Sequence, residues 1–238
     1  MLTEEQRIRY ARNLSVEGFS ETEQCQLSEA SVLIVGAGAL GSVVASYLAA
    51  SGIGKIGIVD FDTIDVSNLQ RQVFYTTPDL GESKTKTLSE HITKLNPLVK
   101  VSVHPYFLKD DDLTRRIIDE YDIIVECSDN PSTKLVVERI SLEKGKAIVI
   151  GGVSQWGGQL MTVTKGHTTF RDLFGDRPSC NGFTPCSSSG VIGPVPGTIA
   201  TLQSIEVIKL ITGLGETLVG RLLSFNGLNM TFKIWKTE

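Results

Sequence analysis

The sequence predicts a doubly wound α/β fold with a mostly parallel sheet, to which an antiparallel C-terminal portion is added. Two observations carry this prediction. Residues 31–35 form an apolar run typical of a strand that is buried on both faces of a parallel sheet. From there to residue 150, such runs alternate with segments of helical periodicity, which is typical of a Rossmann-like arrangement with helices on both faces of the sheet.

The first βαβ unit is predicted from local start and stop signals. Thr3 can cap an N-terminal helix that has acidic residues in its first turn, where the helix dipole favours them. The strand at 31–35 leads through a glycine turn into a helix over 39–50, which ends near Gly52. A second strand at 55–60 completes the unit, and the handedness rule makes its crossover right-handed.

The rest of the chain continues this pattern and then departs from it. A helix over 83–95 stops before Asn96, because Pro97 disfavours helix in the residue ahead of it. The other predicted elements of the first half are strands at 99–103, 122–126 and 146–150, with helices over 111–119 and from Pro131. The second half is predicted to hold a strand at 159–164, a long loop over 166–190, a helix from Pro196 to Gly213, and strands at 221–225 and 230–235. No linker or repeat interrupts the sequence, so we expect a single domain, 1–238, with halves 1–150 and 151–238.

The charge of the chain argues against two classes of partner. With 23 Lys and Arg against 27 Asp and Glu, the net charge of −4 gives no general attraction to nucleic acid or to a membrane surface. The charged N-terminus lacks an apolar signal core, and the four cysteines show no disulfide-type spacing. We therefore expect a cytoplasmic protein that binds neither nucleic acid nor membrane.

A glycine-rich turn follows the first predicted strand. Gly36, Gly38 and Gly41 form a G-x-G-x-x-G motif in the strand–turn–helix context that the motif requires. Glycines there allow a tight turn and a close approach of backbone to phosphate, which the N–H groups of the helix start can hold. Asp60 ends the next strand, where an acid can hydrogen-bond ribose hydroxyls. The motif predicts a nucleotide site, without distinguishing NAD from ATP.

Three charged residues farther along favour ATP. Arg71 follows closely after Asp60, and Lys84 lies at the start of the next helix. Two cations near a nucleotide suit the charge that builds up on a leaving phosphate. Asp129, at the end of the fourth strand, can hold Mg²⁺, which prefers one or two carboxylates together with phosphate oxygens. The competing interpretation, an NAD-dependent oxidoreductase, leaves these three residues without a role.

These motifs together resemble one protein family. They are the glycine loop, Asp60-x-Asp62, Ser67-Asn-Leu-x-Arg-Gln72, Lys84 and Cys127-Ser-Asp-Asn130. They look like the ThiF/MoeB/HesA family, whose members are relatives of ubiquitin-activating enzymes, and the resemblance runs from about Arg9 to the last helix. Within the family, segments 74–79, 157–161 and 190–194 are most similar to ThiF.

The resemblance implies an adenylyltransferase that uses ATP and Mg²⁺. Its substrate would be a small ubiquitin-like sulfur carrier protein ending in Gly-Gly, whose terminal carboxylate attacks the α-phosphate of ATP. The products would be the carrier acyl-adenylate and pyrophosphate. By the resemblance, Asp60 would bind the ribose and Asp129 would bind Mg²⁺, and Asp62 belongs to the nucleotide-binding motif. The residues that would bind the phosphates are Asn68, Arg71, Gln72 and Lys84.

The resemblance also implies a homodimer. Arg12 matches an arginine that the family supplies from the second subunit, where it would stabilise phosphate charge and link activity to assembly. Residues 151–238 are accordingly expected to bind the carrier and form the dimer. The pathway stays open between thiamine thiazole biosynthesis, which the ThiF-like segments favour, and the equivalent activation for molybdopterin. A non-catalytic module that recognises a ubiquitin-like tail is a further alternative, but it would not need the set of phosphate-handling residues.

Two of the cysteines are expected to have different roles. Cys186 matches a family cysteine that is proposed to bond covalently with the carrier during sulfur transfer, and a loop thiol without function is an equal alternative. Cys127 follows an apolar strand and is expected to be a small buried hydrophobic residue.

We predict that the chain binds no zinc. Many family members hold structural zinc through two C-x-x-C pairs, but here the first of these segments reads Thr169-Phe-Arg-Asp172 and no C-x-x-C pair occurs. Cys180 and Cys186 alone do not supply the four ligands of a tetrahedral structural site. Metal analysis of the purified protein should find almost no zinc, whereas roughly one zinc per chain would refute the prediction.

Overall fold

One sheet organises the described part of the chain, residues 1–176 and 190–237 of a computed structural model. Within those residues the sheet has eight strands: β1 (Ser31–Val35), β2 (Lys55–Val59), β3 (Lys100–His104), β4 (Ile123–Glu126), β5 (Ala147–Ser154), β6 (Gly157–Val163), β7 (Arg221–Asn226) and β8 (Thr231–Lys236). Their spatial order is β3-β2-β1-β4-β5-β6-β7-β8. The first five strands pair in parallel, and β5 to β8 pair antiparallel. The predicted fold class is confirmed.

Helices connect and cover the strands. They are α1 (Glu4–Arg9), α2 (Ala11–Leu14), α3 (Glu21–Glu29), α4 (Gly41–Ser51), α5 (Lys84–Leu95), α6 (Asp112–Asp119), α7 (Pro131–Glu143), α8 (Phe170–Phe174) and α9 (Pro194–Thr212). Two short 3-10 helices span Val66–Asn68 and Thr77–Asp79. No helix among the described residues has the length and apolar character needed to cross a membrane.

The helix boundaries follow the residues that signalled them. Thr3 caps α1 by accepting a hydrogen bond from the Gln6 backbone N–H at 3.2 Å. Gly52, with φ of 91°, ends α4 in the left-handed region, and Gly213, with φ of 71°, ends α9 in the same way. Pro131 opens α7, as its fixed φ and missing N–H favour.

Other predictions need correction. The loop expected over 166–190 contains α8, a five-residue helix that is too short to show a periodicity of its own. Its signal is local, because Thr169 and Asp172 form a reciprocal capping box at its start. Helix α3 was not predicted, since it is mostly polar and buries only Gln24 and Leu27. Strand β5 continues to Ser154 instead of ending at residue 150, and α9 begins at Pro194 instead of Pro196.

The parallel strands separate two apolar clusters, one on each face of the sheet. Along β1, Val32 and Ile34 belong to one cluster, and Leu33 and Val35 to the other, as the period of two in a strand requires. The first cluster is completed by α4, α5 and α9, and the second by α6, α7 and α8. Each fully buried aliphatic side chain contributes about 1.5–3 kcal/mol to folding, so this double burial fixes the register of the strands.

The close packing of β2 against Tyr121 gives a test of this core. A Cβ added at Gly57 would lie within 3.0 Å of three Tyr121 atoms, whose side chain is fully buried. We expect Gly57→Ala to lower the free energy of unfolding by about 1–3 kcal/mol in urea denaturation. Gly197→Ala in α9 is the control, because no described atom lies within 4 Å of a Cβ there. Equal unfolding free energies for the two variants would contradict this packing.

Candidate active site

A cavity of about 300 Å³ opens at the carboxyl ends of the central strands. Here β1 lies between β2 and β4, so the chain turns away in opposite directions from neighbouring strands, and such a switch point is where open α/β sheets bind ligands. The predicted site residues that line the cavity are Gly36, Gly38, Asp60, Asp62, Asn68, Arg71, Gln72, Lys84 and Asp129. Residues far apart in the sequence are therefore brought together at one edge of the sheet.

The glycines of the turn serve different purposes. Gly36 has a φ of 94°, and a Cβ there would lie 3.1 Å from the Cys127 and Ser128 backbone. Gly41 does not line the cavity, but a Cβ on it would overlap the carbonyl of Gly36. Gly38 differs, since a Cβ would meet only the Gln72 side-chain nitrogen, at 3.6 Å. The first and last glycines therefore permit backbone packing, and Gly38 leaves space open toward the cavity.

Asp60 holds the turn as well as facing the cavity. One carboxylate oxygen accepts a hydrogen bond from the Ala37 N–H at 2.7 Å, and the other accepts from the Asp62 N–H at 2.9 Å. Tyr75 secures the same turn by donating its hydroxyl to the Ala37 carbonyl at 2.6 Å, and burial raises the pKa of Tyr75, which keeps this donor protonated. A carboxylate offers about four acceptor positions, so Asp60 retains capacity for the two hydroxyls of a ribose.

Two cations reach the cavity from separate elements. Lys84, at the start of α5, is 5% exposed and pairs with Asp62, whose carboxylate oxygen lies 2.9 Å from the ammonium. Arg71 follows the first 3-10 helix and donates one N–H to the Ser67 carbonyl at 2.9 Å. The fork of the guanidinium has further donors, which suit phosphate oxygens. Two cations therefore line the cavity, and one of them, Lys84, is paired with Asp62.

The amide of Gln72 is a buried polar group at the cavity. Gln72 is 4% exposed and lines the cavity, yet its carbonyl oxygen has no hydrogen-bond partner among the described residues. A buried polar group without a partner is destabilising, so such groups in folded proteins normally have one. The NH₂ group of the same amide lies on the side of Gly38, 3.6 Å from the position of a Cβ there, and can donate to a phosphate oxygen.

Asp129 lines the cavity from the loop that follows β4. It is exposed, and no hydrogen bond or ion pair ties its carboxylate to another residue within 1–176 and 190–237. Asn130 fixes the following turn, because its side-chain oxygen accepts from the Ser132 N–H at 2.9 Å and caps α7. In the same described ranges, no group of three or more His, Cys, Asp or Glu is arranged to hold a metal. One free carboxylate fits Mg²⁺ that is shared with phosphates, rather than an all-protein metal cage.

The remaining predicted residues lie elsewhere. Arg12 is exposed on α2, outside the described residues that line the cavity. Cys186 and Cys180 lie outside the described residues, so the role assigned to Cys186 stays a prediction. Cys127 is buried as expected, and burial raises the pKa of its thiol, which disfavours the reactive thiolate.

An apolar wall of the cavity was not predicted. It is formed by Phe61, Tyr106, Phe107 and Leu108, which follow β2 and β3. The rings of Phe61 and Phe107 meet edge to face, with centroids 5.2 Å apart, and both remain partly exposed. The sequence signal was available, since Phe61 lies between Asp60 and Asp62. A planar base bound beside a ribose at Asp60 would contact this wall.

The fold and the cavity together define a class, that of doubly wound α/β proteins with a glycine turn, cations and a free carboxylate around a cavity at the switch point of the sheet. The chain belongs to the ThiF family, whose model matches residues 10–238.

Individual relatives agree with this assignment. A Thermus thermophilus protein described as a sulfur carrier protein adenylyltransferase is 36% identical over 239 residues, covering 97% of this chain and 87% of that protein. A Mycobacterium tuberculosis protein described as a probable adenylyltransferase/sulfurtransferase, MoeZ, is 37% identical over 237 residues. That match covers 98% of this chain, which spans 60% of the length of MoeZ. The solved structure of E. coli MccB with ATP matches with a TM-score of 0.83 and 25% identity, covering 96% of this chain and 70% of that chain.

Asp60 is expected to control the order of the glycine turn even without a ligand. Hydrogen bonds to charged groups contribute about 1.5–3 kcal/mol, so Asp60→Ala should speed amide hydrogen exchange at Ala37 by ~10–100-fold. Hydrogen-exchange mass spectrometry on the segment around Ala37 measures this rate. Asp119→Ala removes an exposed carboxylate that pairs with Lys144 and should leave the segment unchanged. Equal rates in the wild type and Asp60→Ala would contradict the role of Asp60.

Proposed function

We propose that this chain is a sulfur carrier protein adenylyltransferase, which joins the terminal carboxylate of a Gly-Gly-ending, ubiquitin-like carrier to the AMP part of ATP. The observation that carries the proposal is the convergence of Arg71, Lys84 and a free Asp129 around the glycine turn at one cavity. Adenylyl transfer needs cations on the phosphates and a site for Mg²⁺. An NAD-dependent oxidoreductase needs neither, so the cavity favours the transferase.

The cavity suggests how ATP lies in it. Asp60 accepts hydrogen bonds from the ribose, and the base lies against the wall formed by Phe61 and Phe107. The phosphates then extend over Gly38 toward Gln72, whose NH₂ group can donate to their oxygens. This direction places the phosphates among Lys84, Arg71 and Asp129, which all line the cavity.

The reaction follows from this arrangement. A carboxylate oxygen of the carrier attacks the α-phosphorus, and the bond from that phosphorus to the oxygen bridging to the β-phosphate breaks. The electron pair of this bond leaves with pyrophosphate, and the carrier becomes an acyl-adenylate. Arg71 and Lys84 stabilise the negative charge that gathers on the leaving group, with Asn68 and Gln72 as neutral donors beside them. Asp129 is the residue that would hold Mg²⁺, which supplies further charge neutralisation when bound.

Arg12 is proposed to act in a homodimer. It is exposed, and no ion pair joins it to any residue that the structure describes. An arginine brought to the cavity of a second copy would add a third cation to the phosphates. Activity would then depend on assembly, because the site of each copy would be complete only in the dimer.

The identity of the carrier decides the pathway. The segments that resemble ThiF favour a carrier of thiamine thiazole biosynthesis, and a carrier of molybdopterin biosynthesis is the second candidate. ATP–pyrophosphate exchange with Gly-Gly-ending carriers, supplied one at a time, distinguishes them. The thiamine proposal expects the larger kcat/KM with the thiazole-pathway carrier, and a preference for the molybdopterin carrier would replace it with the alternative.

Substitutions at the phosphate and metal positions test the reaction. Arg71→Ala and Asp129→Ala should each lower ATP–pyrophosphate exchange by at least ~100-fold, because each removes charge stabilisation that the transition state requires. Lys84→Met should behave in the same way. The matched control is Lys86→Met on the same helix, since Lys86 is exposed and pairs with Glu82. Near-normal exchange in both Arg71→Ala and Asp129→Ala would overturn the assignment.

A further inference from the structure

A buried ion pair is formed by two residues whose sequence neighbours, Cys127 and Thr133, line the cavity, and the adenylylation residues named above do not include it. Glu126 ends β4, and Lys134 lies in the first turn of α7. Both side chains are 0% exposed, and the Lys134 ammonium bonds one carboxylate oxygen of Glu126. The same ammonium donates to the Gly151 carbonyl on β5 at 2.8 Å. Lys134 thereby joins α7 to two neighbouring strands at the edge where the cavity opens.

The second carboxylate oxygen of Glu126 holds the loop that carries Asp129. It accepts a hydrogen bond from the Ser128 hydroxyl and another from the Ser128 backbone N–H, the latter at 3.2 Å. Ser128 and Asp129 both line the cavity. Because the Asp129 side chain has no bond to another described residue, its position depends on the backbone at its two sides. Ser128 fixes one side, and the cap formed by Asn130 fixes the other.

A third element reaches the same point from the opposite face of the sheet. The Gln203 side chain on α9 donates to the Glu126 backbone carbonyl at 3.1 Å, and its oxygen lies 3.7 Å from the Cys127 sulfur. A Cβ at Gly151 would lie within 3.0 Å of the Gln203 amide, so any larger residue there would displace that amide. The end of β4 is thus held by polar side chains from α7 and α9.

Stability alone does not explain this pair. Burial raises the pKa of Glu126, and the bonds from Lys134 and Ser128 oppose that effect. Burying two charges costs hydration free energy, and the attraction between them offsets only part of that cost. Apolar residues of similar size often stabilise a fold equally well. Apolar residues lack acceptors, however, and cannot hold the Ser128 hydroxyl and N–H in one orientation.

We propose that Glu126 and Lys134 are positioning residues for adenylyl transfer, acting through Ser128 to hold Asp129 at the edge of the cavity. The proposal rests on the function proposed above. Neither residue lines the cavity. Lys134 orients the carboxylate of Glu126, Glu126 orients Ser128, and the backbone then sets the place of Asp129.

Two variants interrupt, in different ways, the link between the Glu126–Lys134 ion pair and the loop that carries Asp129. Glu126→Leu/Lys134→Met removes both buried charges together and leaves the cavity lining intact. Ser128→Ala keeps the ion pair but removes its hydroxyl bond to the loop, and Ser128→Thr restores a hydroxyl. The matched control is Asp119→Asn/Lys144→Met, which removes a surface ion pair with an N–O distance of 3.1 Å.

The expected result combines kinetics with folding measurements. In the double variant and in Ser128→Ala, kcat for exchange should fall by ~10–100-fold, because small misplacements of catalytic groups have effects of that size. The KM for ATP should change by less than about threefold, since the residues that hold ribose and phosphates are retained. The Mg²⁺ concentration for half-maximal activity should rise, Ser128→Thr should recover most of kcat, and the urea midpoint should stay near that of the wild type. Combining the double variant with Ser128→Ala should add little further loss, because both interrupt one path.

Several results would overturn the proposal. A kcat within about twofold of the wild type in the double variant or in Ser128→Ala would do so. So would a loss of kcat in the combined variant that equals the product of the two separate losses. If the double variant does not fold, the Ser128 variants decide alone, and normal kcat in Ser128→Ala rejects the proposal. Hydrogen exchange over residues 127–130, measured without substrates, should be faster in Ser128→Ala than in the wild type. Unchanged exchange there rejects the positioning role, whereas absence of pyrophosphate exchange in the wild type with every carrier rejects the proposed function instead.

Discussion

The contact between the glycine turn and the end of β4 is the constraint on which the site depends. A Cβ at Gly36 would lie 3.1 Å from the backbone of Cys127 and Ser128, so only glycine lets the two segments approach. The sheet aligns them, because Val35 pairs with both Val59 and Glu126 in the parallel register. Asp60 follows β2 directly, and Asp129 is the third residue after β4. Their side chains therefore face one cavity as a result of register, and any slip of one residue would separate them.

The sequence allowed much of this arrangement to be predicted. The central strands are apolar runs that are buried on both faces, and turn or capping residues such as Gly52 and Pro131 mark the helix ends. Because parallel strands end at a common edge, Asp60, Arg71, Lys84 and Asp129 could be placed together before their distances were known. Helices α3 and α8 could not be predicted, since one is mostly polar and the other has only five residues.

The unpredicted parts of the site have two physical causes. A lysine or glutamate in a sequence is expected at the surface, and nothing local to Glu126 or Lys134 indicates that both are fully buried. Their burial arises where β4, β5, α7 and α9 converge, which are elements distant in the chain. Phe61 and Phe107 were overlooked for the opposite reason, because partly exposed aromatic residues gain meaning only when a cavity lies beside them.

The carboxylates around the cavity differ in burial, and their bonds follow that difference. Glu126 is fully buried, and both of its oxygens bind groups of the protein. Asp60 is half-buried and uses each oxygen once to hold the turn. Asp129 is exposed, and its carboxylate is free of bonds to the other described side chains. A carboxylate can hold a cation strongly only when its oxygens are not already occupied by the protein, so the freedom of Asp129 suits Mg²⁺. Because no such bond fixes the Asp129 side chain, its orientation depends on the backbone. The hydrogen bonds of the buried Glu126 therefore affect the chemistry of the exposed Asp129.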